Sequence, residues 1–199
     1  MTSDSFVAAR ADLERLVALR SQQRHCSISW GVVADGELVL TGGYAAEPDP
    51  VPTEHTVFRI ASMTKSFTAS AIMILRDRGL LRLDDVVADI APEFAAVVGP
   101  TMDSPPITVR HLLSMAGGMA TDDVWADRHL DFSDDELDAV VANGATFAWT
   151  PHVQGEYSNL GFGMLGRVIL RVTGRRAVLN SSMTSGSHCI ATRRPTSNR

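Results

Sequence analysis

Ser62-Met63-Thr64-Lys65-Ser66-Phe67-Thr68-Ala69-Ser70-Ala71-Ile72-Met73-Ile74-Leu75 is the stretch that decides how this chain is read. Beyond the first turn its apolar residues occupy most of a helical circumference, and Arg76, Arg78 and Gly79 provide the stop. The segment therefore predicts a helix enclosed by other elements. The three-residue step from Ser62 to Lys65 puts both side chains on one face. A serine hydroxyl is a poor nucleophile until a neighbouring base takes its proton. Lysine can be that base when desolvated or placed near another cation, whereas arginine stays protonated inside proteins. Lys65 is the one lysine of the chain, against 17 arginines, which makes its place beside Ser62 more informative. Ser-x-x-Lys still arises by chance about once in a chain of this size, so the motif alone leaves open a solvated helix charge. The first-turn N–H groups and the positive dipole end suit an oxyanion at Ser62, but every helix start offers them.

Upstream, Phe6, Val7, Leu13, Leu16, Val17 and Leu19 recur at helical spacings from about Ser5 to Arg20, which predicts an amphipathic helix lying against a sheet. Two runs rich in Val, Ile and Leu, Cys26 to Ala34 and Glu37 to Tyr44, flank Asp35-Gly36 and read as a hairpin. Three prolines make Ala45 to Thr53 a loop. Downstream, Asp84-Asp85 opens a short helix, and Thr108 caps one containing Leu112 and Leu113. Ser133 and Glu136 form a capping box before Leu137 to Ala142, which Asn143-Gly144 ends. A last helix runs from about Asn159 to Val172 and stops at Thr173-Gly174. After about Val178 the chain turns polar, small and aperiodic, and 179–199 is expected to be a disordered tail behind a domain of residues 1–178. All 23 acidic residues lie at or before Glu156, and the remainder of the chain carries seven Arg and no acid. That change of character reads as a shifted frame or an early stop.

An apolar share of 45% over 199 residues is that of a soluble globular protein with a core. A net charge of -5 argues against a nucleic-acid partner, which needs clustered Lys and Arg. The start of the chain lacks the pattern of a secretory signal, so a cytoplasmic protein is expected. Its longest apolar run, Ala69 to Leu75, is too short to span a bilayer. Cys26 and Cys189 read as idle thiols. His111, His129 and His152 lack metal spacing and read as structural or exposed rather than as ligands.

The second constellation is Gly155-Glu156-Tyr157-Ser158-Asn159. In an extended segment residues two apart point the same way, so Tyr157 and Asn159 can face one cleft. A tyrosine there can shuttle a proton, and an asparagine amide can donate to a substrate carbonyl while accepting from a lysine. The bland reading is an Asn that caps the last helix and a Tyr packed on the core.

Together, Phe58-Arg59-Ile60-Ala61-Ser62-Met63-Thr64-Lys65 and Tyr157-Ser158-Asn159-Leu160-Gly161-Phe162 resemble the first two signature motifs of the beta-lactamase and penicillin-binding-protein superfamily, in its class C and esterase-like branch. Leu165-Gly166 and Val172-Thr173-Gly174 behind them, with Gly79 to Asp85 and Ile107 to Ser114, are similar as well, so the resemblance covers roughly Ser27 to Gly174. It implies an α+β chain with an incomplete beta-lactamase/transpeptidase-like fold: an antiparallel sheet with the N-terminal hairpin plus a helical region, the later strands missing. It further implies that Ser62 forms an acyl-enzyme, Lys65 accepts or relays its proton, Tyr157 is base or shuttle, and Asn159 orients substrate and Lys65. Neither metal nor cofactor is implied. A small ester, a beta-lactam or a peptide is the implied substrate, with no nucleic-acid or membrane partner and an oligomeric state left open. The third family motif, a Lys- or His-initiated triplet ending in Gly, has no match after Asn159: Thr184-Ser185-Gly186 starts with Thr. Turnover is expected to be impaired. The alternatives are an inactive remnant that at most binds ligand or a partner, and a helical interaction module whose motifs are coincidental.

Overall fold

A computed structural model describes residues 3–46, 49–53, 55–121 and 133–175. The expected tail at 179–199, Cys189 and His129 lie outside the described residues. The described chain divides between Arg59 and Ile60 into two compact units.

The first unit opens with α1 (Ser3–Arg24), which lies against the second strand of a hairpin. The row it buries is narrow. Val17 and Ser21 are buried and Leu13 is half-buried, an i, i+4 series. Leu16 and Leu19 are about half exposed, at 51% and 50%, so the apolar face read from the sequence is wider than the face in use. Ser21 ends the helix by donating its hydroxyl to the Cys26 carbonyl at 2.6 Å, while the Cys26 N–H returns to the Ser21 carbonyl at 3.3 Å. Strands β1 (Ile28–Ala34) and β2 (Glu37–Tyr44) pair antiparallel from Ile28 opposite Tyr44 to Ala34 opposite Glu37, with a bulge between Val32 and Val33. Asp35 and Gly36 join them with φ of 51° and 84°. Two consecutive positive φ values are what a two-residue hairpin turn requires. Trp30 sits opposite Gly42, and its indole fills the space a Cβ would take there, so the glycine makes room for the ring.

The second unit is helical: α2 (Thr64–Asp77), α3 (Val87–Ile90), α4 (Val109–Leu113), α5 (Asp134–Val141) and α6 (Asn159–Thr173), with 3-10 turns at Ala61–Met63 and Pro92–Phe94. Its core gathers Ile72 and Leu75 of α2, Phe94, Leu112, Val141, and Phe162, Leu165, Val168 and Ile169 of α6. Both α2 and α4 pack on α6.

Local sequence signals fix the ends of these helices. Gly79, at φ 69°, closes α2 with paired bonds from its own N–H to the Arg76 carbonyl and from Leu80 to Leu75. Thr108 caps α4 reciprocally with His111, and Ser133 caps α5 with Glu136. The Ser158 hydroxyl accepts from Gly161 N–H to start α6, and Gly174 at φ 67° ends it. The short helix expected at Asp84-Asp85 begins at Val87, because the Asp85 carboxylate is occupied by the Arg82 N–H.

Two features depart from the sequence reading. Ser62 lies not in α2 but in the 3-10 turn before it. The expectation that α2 is enclosed holds on one face only: Thr64, Lys65, Thr68, Ile72 and Leu75 are buried, whereas Met63, Phe67 and Ile74 are exposed. Apolar composition alone does not say whether a second layer covers a helix.

A buried ion cluster joins α5 and α6. Arg167, 5% exposed, reaches Glu93 at 3.2 Å, Asp134 at 3.2 Å and Asp138 at 2.5 Å. Arg171 meets Glu93 from the next turn of α6 at 3.1 Å. The architecture is α+β, a helical unit plus an antiparallel hairpin. Among the described residues no helix is long and apolar enough to cross a membrane.

Candidate active site

Ile60 to Met63 turn into α2 through Ala61, whose φ of 45° lies in the left-handed region that L side chains disfavour. Neither the 3-10 turn nor α2 has a side-chain cap. The turn delivers Ser62 to the face of α2 that carries Lys65.

Lys65 is 6% exposed, and its ammonium donates to three oxygens: Ser62 Oγ at 3.3 Å, Tyr157 Oη at 2.7 Å and Asn159 Oδ1 at 2.6 Å. Three donors meet three acceptors, which offsets much of the cost of taking the charge from water. Among the described residues no carboxylate pairs with Lys65. Its Nζ also stands 4.7 Å from the Tyr157 ring centre and 5.8 Å from that of Phe162. Ser62 Oγ and Tyr157 Oη are 2.6 Å apart, and either can donate. The structure thus brings together all four residues singled out in the sequence, Ser62, Lys65, Tyr157 and Asn159. The expected alternation is present too, since Tyr157 and Asn159 both reach Lys65 while the intervening Ser158 turns away to cap α6.

The strip bearing Tyr157 has no regular secondary structure. It is held by a neighbouring strip, residues 115–121. His152 N–H donates to the Ala116 carbonyl at 2.8 Å and Glu156 N–H to the Met115 carbonyl at 2.8 Å; Ala148 and Trp149 N–H both donate to the Gly118 carbonyl. Gly118, at φ 78°, passes so close to the Trp149 carbonyl that no Cβ fits. The Glu156 carboxylate accepts from the Thr121 hydroxyl and from Trp149 Nε1 at 3.2 Å, and these two donors hold it below the usual carboxylate range.

His111 is structural. Its Nδ1 accepts from Thr108 N–H at 3.3 Å, its ring centre is 5.6 Å from that of His152, and burial, followed by the neighbouring His152, pushes its pKa down. His152 is exposed, at φ 78°. Sequence reasoning missed two features of the site. One is Glu156, which the alternation that pairs Tyr157 with Asn159 sends to the opposite side of the strip. The other is the strained Ala61, because nothing local marks a left-handed alanine.

A family model described as Beta-lactamase matches residues 8–181. Penicillin-binding protein 4 of Amycolatopsis lactamdurans is 32% identical over 165 residues, which are 81% of this chain and 42% of that protein. Among solved structures, the octameric penicillin-binding protein homologue from Pyrococcus abyssi superposes with a TM-score of 0.68 at 28% identity, covering 82% of this chain and 39% of that one. A class C beta-lactamase shares the fold with a TM-score of 0.63 at 21% identity, over 84% of this chain and 45% of its own. The chain spans under half the length of each of these proteins.

Proposed function

The chain belongs to the beta-lactamase family, and from that premise we propose that it is a serine acyl-hydrolase that opens a small ester, beta-lactam or amide through an acyl-enzyme on Ser62. The observation that carries this reading is the Tyr157 hydroxyl, within hydrogen-bond distance of both Ser62 Oγ at 2.6 Å and Lys65 Nζ at 2.7 Å. Ser62 Oγ attacks the carbonyl carbon and its proton leaves along one of two hydrogen bonds. The bond to Tyr157 is the shorter, 2.6 Å against 3.3 Å to Lys65, so in this scheme Tyr157 takes the proton as a phenolate paired with the Lys65 ammonium. The proton then returns to the leaving alkoxide or amine. Water, activated by the same pair, releases the acid and restores Ser62. Asn159 fixes Lys65 from the far side and contacts the substrate. No metal or cofactor takes part in this scheme.

Hydrolysis of p-nitrophenyl butyrate and of a chromogenic cephalosporin tests it. Ser62→Ala is expected to abolish turnover, and Tyr157→Phe and Lys65→Arg to lower it by about 10²-fold or more. Turnover that survives Ser62→Ala would place the chemistry elsewhere.

One observation favours a second reading, in which the chain binds or is acylated without turning over. Met63 is 63% and Phe67 58% exposed, so solvent borders the nucleophile where a dry wall would strengthen the field on the oxyanion. Stoichiometric acylation with no release would identify that state.

A further inference from the structure

Acylation through Tyr157 requires its hydroxyl to stay within 2.7 Å of two partners, yet Tyr157 sits on an irregular strip that no sheet holds among the described residues. Downstream the strip is tied by the Ser158 cap of α6. Upstream, after the backbone bonds of Ala148, Trp149 and His152 to the 115–121 strip, the tie nearest Tyr157 is Glu156. Glu156 donates its N–H to the Met115 carbonyl and spends both carboxylate oxygens on side chains, one on Thr121 of the neighbouring strip and one on Trp149, seven residues earlier in its own. These contacts are unlike those of an ordinary surface carboxylate: among the described residues no Arg, Lys or His pairs with Glu156, and its two acceptors are matched to two neutral donors. Because side chains alternate along an extended strip, the grip on Glu156 lies on the side opposite Tyr157 and fixes the rotation of the strip about its own axis. A small rotation there would swing the phenol away from Ser62 while leaving the core untouched.

We propose that Glu156 is a positioning residue for the acylation chemistry, holding the Tyr157 hydroxyl over Ser62 and Lys65 by anchoring its strip to Thr121 and Trp149. The anchor uses the anion, since a protonated or amide side chain offers the two donors one good acceptor in place of two. The inference rests on the reading of Ser62 and Tyr157 as an acylation pair. Misplacement of a reacting group by a fraction of an ångström is enough to slow such a step.

The test is the rate of Ser62 labelling by a fluorophosphonate, followed by timed intact mass on the full chain, with Glu156→Gln made in the parent and in a Tyr157→Phe background. Glu156→Gln is expected to slow labelling about tenfold in the parent and less than twofold when Tyr157 is already Phe, because it acts through the phenol. Glu156→Asp, which keeps the anion, is expected to recover part of the loss. Thr121→Val removes one donor from the other end and is read in the same way if Glu156→Gln fails to fold. An equal slowing in both backgrounds would overturn the proposal and reduce Glu156 to a structural residue. Labelling of the parent that is indifferent to Tyr157→Phe would overturn it as well. A parent that takes no label at all would instead sink the acylation reading, and the proposal with it.

Discussion

Ala61 stands one residue before Ser62 at φ 45°, where its Cβ crowds the following carbonyl. Such strain persists only where the surroundings enforce it, and here it turns Ser62 toward Lys65. Relief of about 1–2 kcal/mol against a glycine entropy cost of about 0.5–1 kcal/mol leaves a net gain for Ala61→Gly. Urea unfolding of Ala61→Gly is therefore expected to show a stability rise of about 0.5–1 kcal/mol; a loss would mean that Ala61 contributes packing that outweighs its strain. At this scale the sequence was informative about pairs and silent about conformations. The step from Ser62 to Lys65 is local, and the step from Tyr157 to Asn159 is local, so each could be read. That the two pairs meet, across 95 residues between Ser62 and Tyr157, depends on α2 packing against α6. The grip of Thr121 on Glu156, across 35 residues, had no local signature at all.

Among the elements, ends were more legible than faces. Thr108, Ser133 and Gly174 each satisfy helix-end groups within a few residues, so the sequence suffices to place them. The face of α2 that packs, and the width of the packed face of α1, depend on what lies alongside. The ion cluster on α6 also escaped the sequence reading, because Arg167 meets Asp138 across 29 residues. It yields a pair of opposite expectations. Arg167→Met leaves three carboxylates crowded in a partly dry site and is expected to cost about 3–5 kcal/mol. Asp138 is pushed above its ordinary pKa mainly by burial, with Glu93 and Asp134 adding to it and Arg167 opposing, and its buried Oδ1 has no hydrogen-bond partner among the described residues. A carboxyl whose folded pKa is raised binds its proton more tightly when folded, so its contribution weakens as pH climbs from the unfolded value through the folded one. Asp138→Asn, which fixes the neutral state and can still accept from Arg167, is expected to be as stable as the parent or more so at pH 7, with the difference shrinking toward pH 3. Denaturant midpoints across pH measure this; an Asp138→Asn loss as large as that of Arg167→Met would show that the ion pair outweighs the burial.

At the scale of the whole molecule, a connected side-chain network stands beside an uncovered helix face. The unit containing α2 and α6 has a closed core and a fully connected Ser62, Lys65, Tyr157 and Asn159 network. The same unit leaves Phe67 and Ile74 bare, and the chain spans under half the length of the related proteins. The expected class, a hairpin plus a helical region with the family's first two motifs in place, was legible because motif and cap signals are short-range. What the sequence could not supply was how much of the surroundings of Ser62 the helical unit provides by itself.

The central claim is that this unit assembles a working nucleophile. Intact-mass analysis after exposure to a fluorophosphonate and, separately, to a penicillin tests it most directly, with the modified peptide mapped and with Ser62→Ala and Lys65→Arg beside the parent. One adduct per chain on Ser62, lost in both variants, is the predicted result. A chain that circular dichroism shows to be folded and that takes no adduct from either reagent would contradict the claim.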